Sequence, residues 1–295
     1  MIDYKAVFKD RERRLRLIYF FTRFIPDKPY IKMVFRIKTG KKLNLKNPTT
    51  FCDKQNWLKL HDKKEEYTDY VDKVKLHEVV KKKLGEDICF EMLGHWEHYD
   101  DIDFDALPEK FVLKCNHDSA SVKIVTDKAA INHAEFKKFF ENRLKMNAFY
   151  FGREYPYKNV KPCILAEKYM KPDGQEDLED YKFFCFNGEP KLMFVVKDRA
   201  TDCTIDHFDR EFNRLKIYNT DPYSDKPIAK PEKFDEMWEL AAKLSEGIKF
   251  VRIDLYEVEG KLYLGEYTFF EGGGFWPYHP DEWERRLGDW INIDA

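Results

Sequence analysis

Residues 250–275 read FVRIDLYEVEGKLYLGEYTFFEGGGF, two apolar runs hinged at Glu259-Gly260. Residues 251–258 predict a strand and 261–269 its returning partner across a tight turn. Side chains two apart on a strand share a face. Arg252 and Asp254 therefore point one way, and Glu266, in Glu266-x-Thr268, can join them from the neighbouring strand. Two oxygen-donor carboxylates beside a cation suit Mg²⁺ bound to a polyphosphate. A plain cross-strand ion pair between Arg252 and Glu266 fits the same spacing.

Working outward, 164–170 and 181–186 also read as strands, with Asn187-Gly188 a hairpin turn into 191–197. Residues 232–246 predict a helix. Upstream, 110–115 and 122–125 are short β-rich runs around the small-residue loop 116–121 and predict another hairpin. Residues 134–146 read as an amphipathic helix that turns Phe136, Phe139, Phe140, Leu144 and Met146 inward. Before Pro108 the rhythm is helical: 51–61, then 68–84 ending at Gly85, with 88–93 a short strand or turn. Residues 7–25 interleave Arg11, Arg13, Arg14 and Arg16 with Val7, Phe8, Leu15, Ile18, Tyr19 and Phe21 up to Pro26. That pattern predicts a basic amphipathic helix, either packed on its own domain or meeting a membrane surface or anionic polymer. The class is α+β, mainly antiparallel sheet with helices. No internal repeat or low-complexity linker interrupts it.

The chain has 295 residues, 36% of them charged and 16% aromatic, with a formal charge of −2. Such a composition excludes disorder and collagen-like repeats and fills a sizeable core. The longest apolar runs, such as 17–21, span a handful of residues, where a membrane-crossing helix needs about 20. No secretory signal is expected at the N-terminus, which predicts a cytoplasmic protein, at the inner face of the membrane if the basic segment docks there. Residues 1–50 hold 14 Lys/Arg against 4 Asp/Glu, a net of +10 that leaves −12 for the rest. An anionic partner for this segment follows, and no nucleic-acid partner is expected. Six cysteines at 52, 89, 115, 163, 185 and 203 form no CxxC and no short Cys/His cluster, which predicts free, mostly buried thiols.

The phosphate loop GxxxxGK[ST], the GxGxxG turn and the GxSxG elbow are all absent. His95 and His98 beside Trp96 lack a third ligand and read as surface or packing residues. The acidic run 100–105 contains overlapping DxD patterns, the sole support for a glycosyltransferase, and reads equally as a loop of capping aspartates. Lys114 ends a β-run and is followed by Asn116, His117, Asp118, Ser119, Ala120 and Ser121. A cation thus sits beside a loop whose amides and hydroxyls suit phosphate oxygens.

The order of these pieces resembles the ATP-grasp superfamily, and most closely its TupA-like branch from bacterial capsule and teichuronopeptide gene clusters. The likeness runs from about Thr50 to Leu287 through TFCDKQNWLKLHD, FVLKCNHDSASVKIV, FYFGREYPYKNVKPCILAEKYM, DYKFFCFNGEPKLMFV and residues 250–275. It implies two α+β subdomains that clasp ATP, here 71–165 and 166–295, after a basic helical segment over 1–70. It implies that Lys73 and Lys114 enter the nucleotide cleft, and that residues 115–122 form the loop over the phosphates, with Asn116, His117, Ser119 and Ser121 at the nucleotide. Glu167, Lys168, Tyr169 and Met170 resemble the hinge that meets adenine, and Asp180 stands where an acid holds the ribose. Lys182 and Arg199 resemble the cations that face the phosphates, Asp254 and Glu266 the Mg²⁺ ligands, and Arg252 the cation at the γ-phosphate. Two positions depart from the pattern. Asp118 and Ala120 replace the glycines of NHGSG, and Thr268, the third candidate ligand, replaces an asparagine usual in the wider superfamily.

The resemblance implies an ATP-dependent carboxylate–amine ligase. Its expected acid is a uronic-acid sugar nucleotide or acidic polysaccharide, its second substrate an amino acid or other amine, and its setting cell-surface polysaccharide synthesis. A glycosyltransferase and a sugar kinase that uses the same cleft are the alternatives. A non-catalytic nucleotide-binding scaffold is a third, suggested by Asp118.

Overall fold

The structure, a computed structural model, describes residues 11–118, 121–171, 178–197, 203–219 and 221–294, with side chains from residue 16 onward. Helices α1 (Arg11–Thr22), α2 (Asp27–Thr39), α3 (Phe51–His61), α4 (Tyr67–Val71) and α5 (Leu76–Leu84) come first. Thr50 starts α3 with a reciprocal capping box: its hydroxyl accepts from the Asp53 amide at 3.2 Å while Asp53 accepts from the Thr50 amide. The helix expected over 68–84 is two helices. Asp72 breaks it, because its carboxylate accepts from the Val74 amide at 3.0 Å and offers the chain a turn instead of helix. Helix α2 follows Pro26, in a stretch whose periodicity was hidden by its charge.

Strands β1 (Met92–Trp96), β2 (Phe111–Cys115), β3 (Val122–Val125) and β4 (Ile164–Lys168) form one antiparallel sheet in the order β1-β4-β2-β3. The short strand or turn expected over 88–93 is thus a displaced strand: residues 88 and 89 reach the other sheet, where Cys89 bridges Leu264. Phe111, Leu113, Cys115, Ile164 and Ala166 face helix α6 (His133–Leu144), centred on buried Phe140. The other face, with Val112, Lys114, Leu165 and Glu167, is left for the cleft. Helix α7 (Phe149–Gly152) precedes β4.

The second sheet holds β5 (Asp180–Phe186), β6 (Glu189–Lys197), β7 (Thr204–Phe208), β8 (Arg214–Leu215), β9 (Phe250–Val258) and β10 (Lys261–Thr268) in the order β10-β9-β5-β6-β7-β8. Every residue of β5 is buried, because both faces are covered. On one face Phe183 packs on Phe234 and Trp238 of helix α8 (Phe234–Ser245). On the other, Phe184 and Phe186 stack with Phe51 of α3. This double covering explains the unbroken apolar run in YKFFCF. The described cysteines are free thiols, mostly buried.

Helix α9 (Asp281–Trp290), not expected from the sequence, closes the fold against α3. Its Glu284 carboxylate accepts from the amides of Cys52 at 2.7 Å and Tyr278 at 2.8 Å. Gly288 lies flush on the chain entering α3: a Cβ there would stand 2.7 Å from the Thr50 carbonyl carbon and closer still to the Thr49 oxygen. Backbone cannot yield as a side chain can. Gly288→Ala should therefore destabilise the protein by about 1–3 kcal/mol, the cost of overpacking, measured by urea unfolding. An unchanged midpoint would show that the α3–α9 seam is compliant.

Candidate functional site

Strand register builds one half of the site. Lys182 on β5 lies opposite Asp254 on β9, and Asp254 lies opposite Glu266 on β10. The β9–β10 ladder slips by one residue at Gly265. That bulge puts Glu266, rather than Gly265, opposite Asp254, with Thr268 opposite Arg252. Glycine is needed there because a Cβ would run into the Tyr256 ring.

Arg252 is the hub of this face. Its Nε donates to Asp254 Oδ1 at 2.6 Å and its Nη2 to Asp254 Oδ2 at 2.7 Å, while the same group reaches Glu266 at 3.2 Å. Its other nitrogen donates to Glu271. Lys182 bonds Asp254 and stands 2.7 Å from Asp180. Burial alone would lower the Arg252 pKa, but Asp254 and Glu271 hold it well above its usual value. Burial likewise works against the Asp254 carboxylate, yet Arg252 and Lys182 keep it below the ordinary range. Arg252 and Asp254 thus stabilise each other's ionised forms.

The opposing sheet supplies the other half. Lys114 and Glu167 form an ion pair on the face that looks into the cleft, near the Phe90 ring, 6.0 Å from the Lys114 ammonium. Phe90 also packs on Tyr256 and Tyr263 of the first half. Lys73 donates to the Asp118 carbonyl at 2.7 Å. Asp118 closes the loop, accepting from the Ser121 amide at 2.9 Å and its hydroxyl at 2.5 Å, with Arg143 at 3.6 Å. Its carboxylate is engaged within the loop.

Between the halves lies a cavity of about 380 Å³, lined among others by His117, Asp118, Arg143, Glu154, Arg252, Thr268 and Gly273. Gly272, Gly273 and Gly274 all have positive φ, a conformation that favours glycine. Lys59 of α3 donates to the Gly273 carbonyl and lies 4.0 Å above the Phe275 ring. Burial pulls its pKa down to about 7, against the charge of Glu154. Burial raises Glu154, opposed by Lys59 and reinforced by Glu266 and Glu271.

Residues 53–292 match the family described as TupA-like ATPgrasp. The chain belongs to this family. It therefore has the ATP-grasp α+β fold, as the paired sheets show. No curated protein matches it. Among solved structures it is similar to a D-alanine–D-alanine ligase from Bacillus anthracis, at 16% identity and TM-score 0.44, over 75% of this chain and 65% of that one. It is also similar to a RimK domain ATP-grasp protein from Sphaerobacter thermophilus, at 12% identity and TM-score 0.40, over 76% and 69% of the two chains. A third is the ATP-grasp ligase PsnB, solved with a minimal precursor, at 8% identity and TM-score 0.39, over 70% and 55%. The chain thus spans just under two thirds of the Bacillus enzyme, and the family match carries the assignment.

For this TupA-like ATP-grasp chain, the fold brings together Asp180, Lys182, Arg252, Asp254, Glu266 and Thr268 on one side and Lys73, Lys114, Glu167 and the loop from 116 on the other. The Asn116 side chain is committed to structure: its amide donates to Asp72 and to the Lys161 carbonyl, both at 2.9 Å. The His117 ring likewise meets the Arg143 and Met146 carbonyls, at 3.3 and 3.1 Å. Lys168 turns away to Glu91: its ammonium bonds the Glu91 carboxylate at 3.0 Å and its amide donates to the Glu91 carbonyl at 2.9 Å. Ser119 and Arg199 lie outside the described residues. The DxD run is spent on a turn, where Asp103 accepts from the amides of Asp105 and Ala106. The fold also gathers His77, Asp87 and Cys89, a cluster the cysteine spacing hid, but His77 and Asp87 bond each other at 2.7 Å.

Glu271, Glu154, Lys59 and Arg143 were not singled out in the sequence. Glu271 is legible in the run Glu-Gly-Gly-Gly, a charge before a glycine-rich loop. The others sit in or beside helices, where nothing in the local pattern separates them from solvated charges. Arg252→Ala removes the one guanidinium shared by Asp254, Glu266 and Glu271. Uncompensated buried charge should cost about 3–5 kcal/mol in urea unfolding. A loss below about 1 kcal/mol would show that Lys182 alone balances the face.

Proposed function

We propose that the protein is an ATP-dependent carboxylate–amine ligase acting in bacterial cell-surface polysaccharide synthesis. It joins a uronic-acid carboxylate, on a sugar nucleotide or acidic polysaccharide, to an amino acid or other amine. The observation that carries this reading is the Arg252 network facing the Lys73–Asp118 loop across one cavity, in a member of the TupA-like ATP-grasp family. Lys114, Glu167, the backbone of Tyr169 and Met170 that follows Lys168, and the Phe90 ring hold the adenine end. Asp180 meets the ribose. Lys73 and residues 116–121, including Ser119, wrap the phosphates.

The donor set fits Mg²⁺: Asp254, Glu266 and Thr268 present hard oxygen atoms on one face, with Glu271 beside them. Bound there, the ion would neutralise phosphate charge. The acid's carboxylate oxygen attacks the γ-phosphorus, and the bond to the β-phosphate oxygen breaks to release ADP. Arg252, Lys182 and Arg199 stabilise the charge that develops on the transferred group. The amine nitrogen then attacks the acyl carbon, and phosphate leaves with its electron pair. No enzyme nucleophile is needed.

The partner surface of the N-terminal helices is a membrane with anionic lipid. Among the described residues no helix is long and apolar enough to cross a membrane. Yet Leu17, Ile18, Phe20, Phe21, Phe24, Met33 and Ile37 are exposed, Phe24 by 72% and Ile37 by 75%. Arg16, Arg23, Lys28, Lys32 and Arg36 stand among them, exposed. Aromatic residues interleaved with cations suit an interface with acidic headgroups. Helix α1 is divided along its length, arginines first and apolar residues after, rather than into two faces as expected.

Mass spectrometry of ATP, Mg²⁺, uronic-acid sugar nucleotides and a pool of amino acids should show an amide formed with equimolar ADP. A phosphorylated sugar without amide would make the enzyme a kinase instead. Asp254→Asn should abolish ADP release from a folded protein, and Lys114→Ala should weaken ATP binding by about 1.5–3 kcal/mol, the worth of a charged hydrogen bond. An unchanged dissociation constant would remove Lys114 from the nucleotide site. In co-sedimentation, vesicles with phosphatidylglycerol should retain the protein, and replacing Phe20, Phe21 and Phe24 with Ser should cut retention at least about tenfold. Equal retention by the variant would place the contact elsewhere.

A further inference from the structure

Glu154 is a carboxylate without a direct hydrogen-bond or ion-pair partner among the described residues, at the wall of the cavity. It follows α7 and lines the same space as Arg252, Thr268 and Gly273. No described group forms a hydrogen bond or ion pair with its side chain. Lys59 acts on it through space, but the Lys59 ammonium is turned to the Gly273 carbonyl. Two glycines keep the carboxylate open: a Cβ at Gly152 would collide with Oε1, and one at Gly273 would stand 3.5 Å from it. Lys38, Glu266 and Glu271 complete the charges that it feels.

We infer that Glu154 is the seat of the amine substrate's ammonium group. This rests on the ligase reading. A half-buried carboxylate that no donor contacts is costly; Lys59 and Lys38 act on Glu154 only through space, and the charged donor that a ligation brings to the cleft is the incoming ammonium. The place is right, since Arg252 and Thr268, at the phosphate end, line the same cavity. The choice of acceptor follows from it: an ammonium gains an ion pair at Glu154 that a sugar hydroxyl does not. The ammonium must lose one proton before attack. Glu154 takes that proton, and the free amine forms the C–N bond as the acyl carbon–oxygen bond to phosphate breaks. The nitrogen's second proton leaves with the departing phosphate.

Hydroxylamine separates the two halves of the reaction. It is uncharged near neutral pH, so it traps an acyl phosphate as a hydroxamate without needing an ammonium seat. With uronic-acid sugar nucleotides, ATP and Mg²⁺, Glu154→Gln should form hydroxamate at close to the wild-type rate. With the amino-acid pool it should show an amine KM raised about 10- to 100-fold, the scale of a lost charged hydrogen bond, and an unchanged KM for ATP. Gly152→Ala, which crowds the same carboxylate, should raise the amine KM in the same selective way. Loss of hydroxamate and amide together in a folded Glu154→Gln protein would assign Glu154 to acid activation or to support of Lys59, and overturn the inference. An unchanged amine KM in both variants would overturn it too. Failure of the wild-type enzyme to form any hydroxamate would overturn the ligase reading itself, and this inference with it.

Discussion

The arrangement turns on one guanidinium. Arg252 holds Asp254 by two bonds and reaches Glu266 and Glu271 from a position that is largely buried. Three carboxylates this close repel one another, and water cannot screen them where Asp254 is 1% exposed. Lys182 helps from the next strand, but a compact ammonium cannot span three partners as a planar fork does. The protein thus gathers a dense set of oxygen donors around one guanidinium before any ligand arrives. Preorganised charge of that kind is what phosphoryl transfer needs, because its transition state asks for positioning and neutralisation more than for a covalent helper.

Strand register puts the guanidinium in place. Arg252 and Asp254 share a face by simple alternation, but Glu266 joins them only because the ladder slips at Gly265. Without that slip the next side chain opposite Asp254 would be a hydrogen atom. The double covering of β5 then fixes the register. A one-residue shift would send Phe183 and its neighbours into the polar face and Lys182 and Asp180 into the α8 core. Core packing therefore sets the geometry of the charges.

Much of this was legible in the sequence where the signal is periodic. The hairpin at Glu259-Gly260, the turn at Asn187-Gly188 and the two strands that flank the loop after Lys114 are local patterns, and each element formed where expected. The face shared by Arg252, Asp254 and Glu266 followed from alternation, although the bulge that makes it work did not. The ion pair between Arg252 and Glu266, offered as the alternative to a metal site, is present at 3.2 Å within the same network. What stayed hidden depends on tertiary context. Asp72 ends a helix because Asn116 and Val74 bind its carboxylate, and no window of sequence around it reports Asn116. Glu154 and Lys59 feel each other's charge across nearly a hundred residues of sequence, and α9 has too few apolar residues to announce a core face.

The N-terminal helices and the cleft share a residue pair. Arg153 is buried with φ 57, a left-handed conformation that a non-glycine residue adopts only when its surroundings hold it. Those surroundings are the end of α1 and the start of α2: its guanidinium donates to the carbonyls of Thr22 at 2.6 Å and Ile25 at 3.0 Å, and stands 3.2 Å from Asp27. It also covers the Tyr30 ring at 4.1 Å. The next residue is Glu154. The exposed aromatic surface of α1 and the cavity wall are therefore joined through one strained backbone position. The contacts of Arg153 with the Thr22 and Ile25 carbonyls, Asp27 and Tyr30 thus tie the position of α1 and α2 to the residue beside Glu154 on the cavity wall.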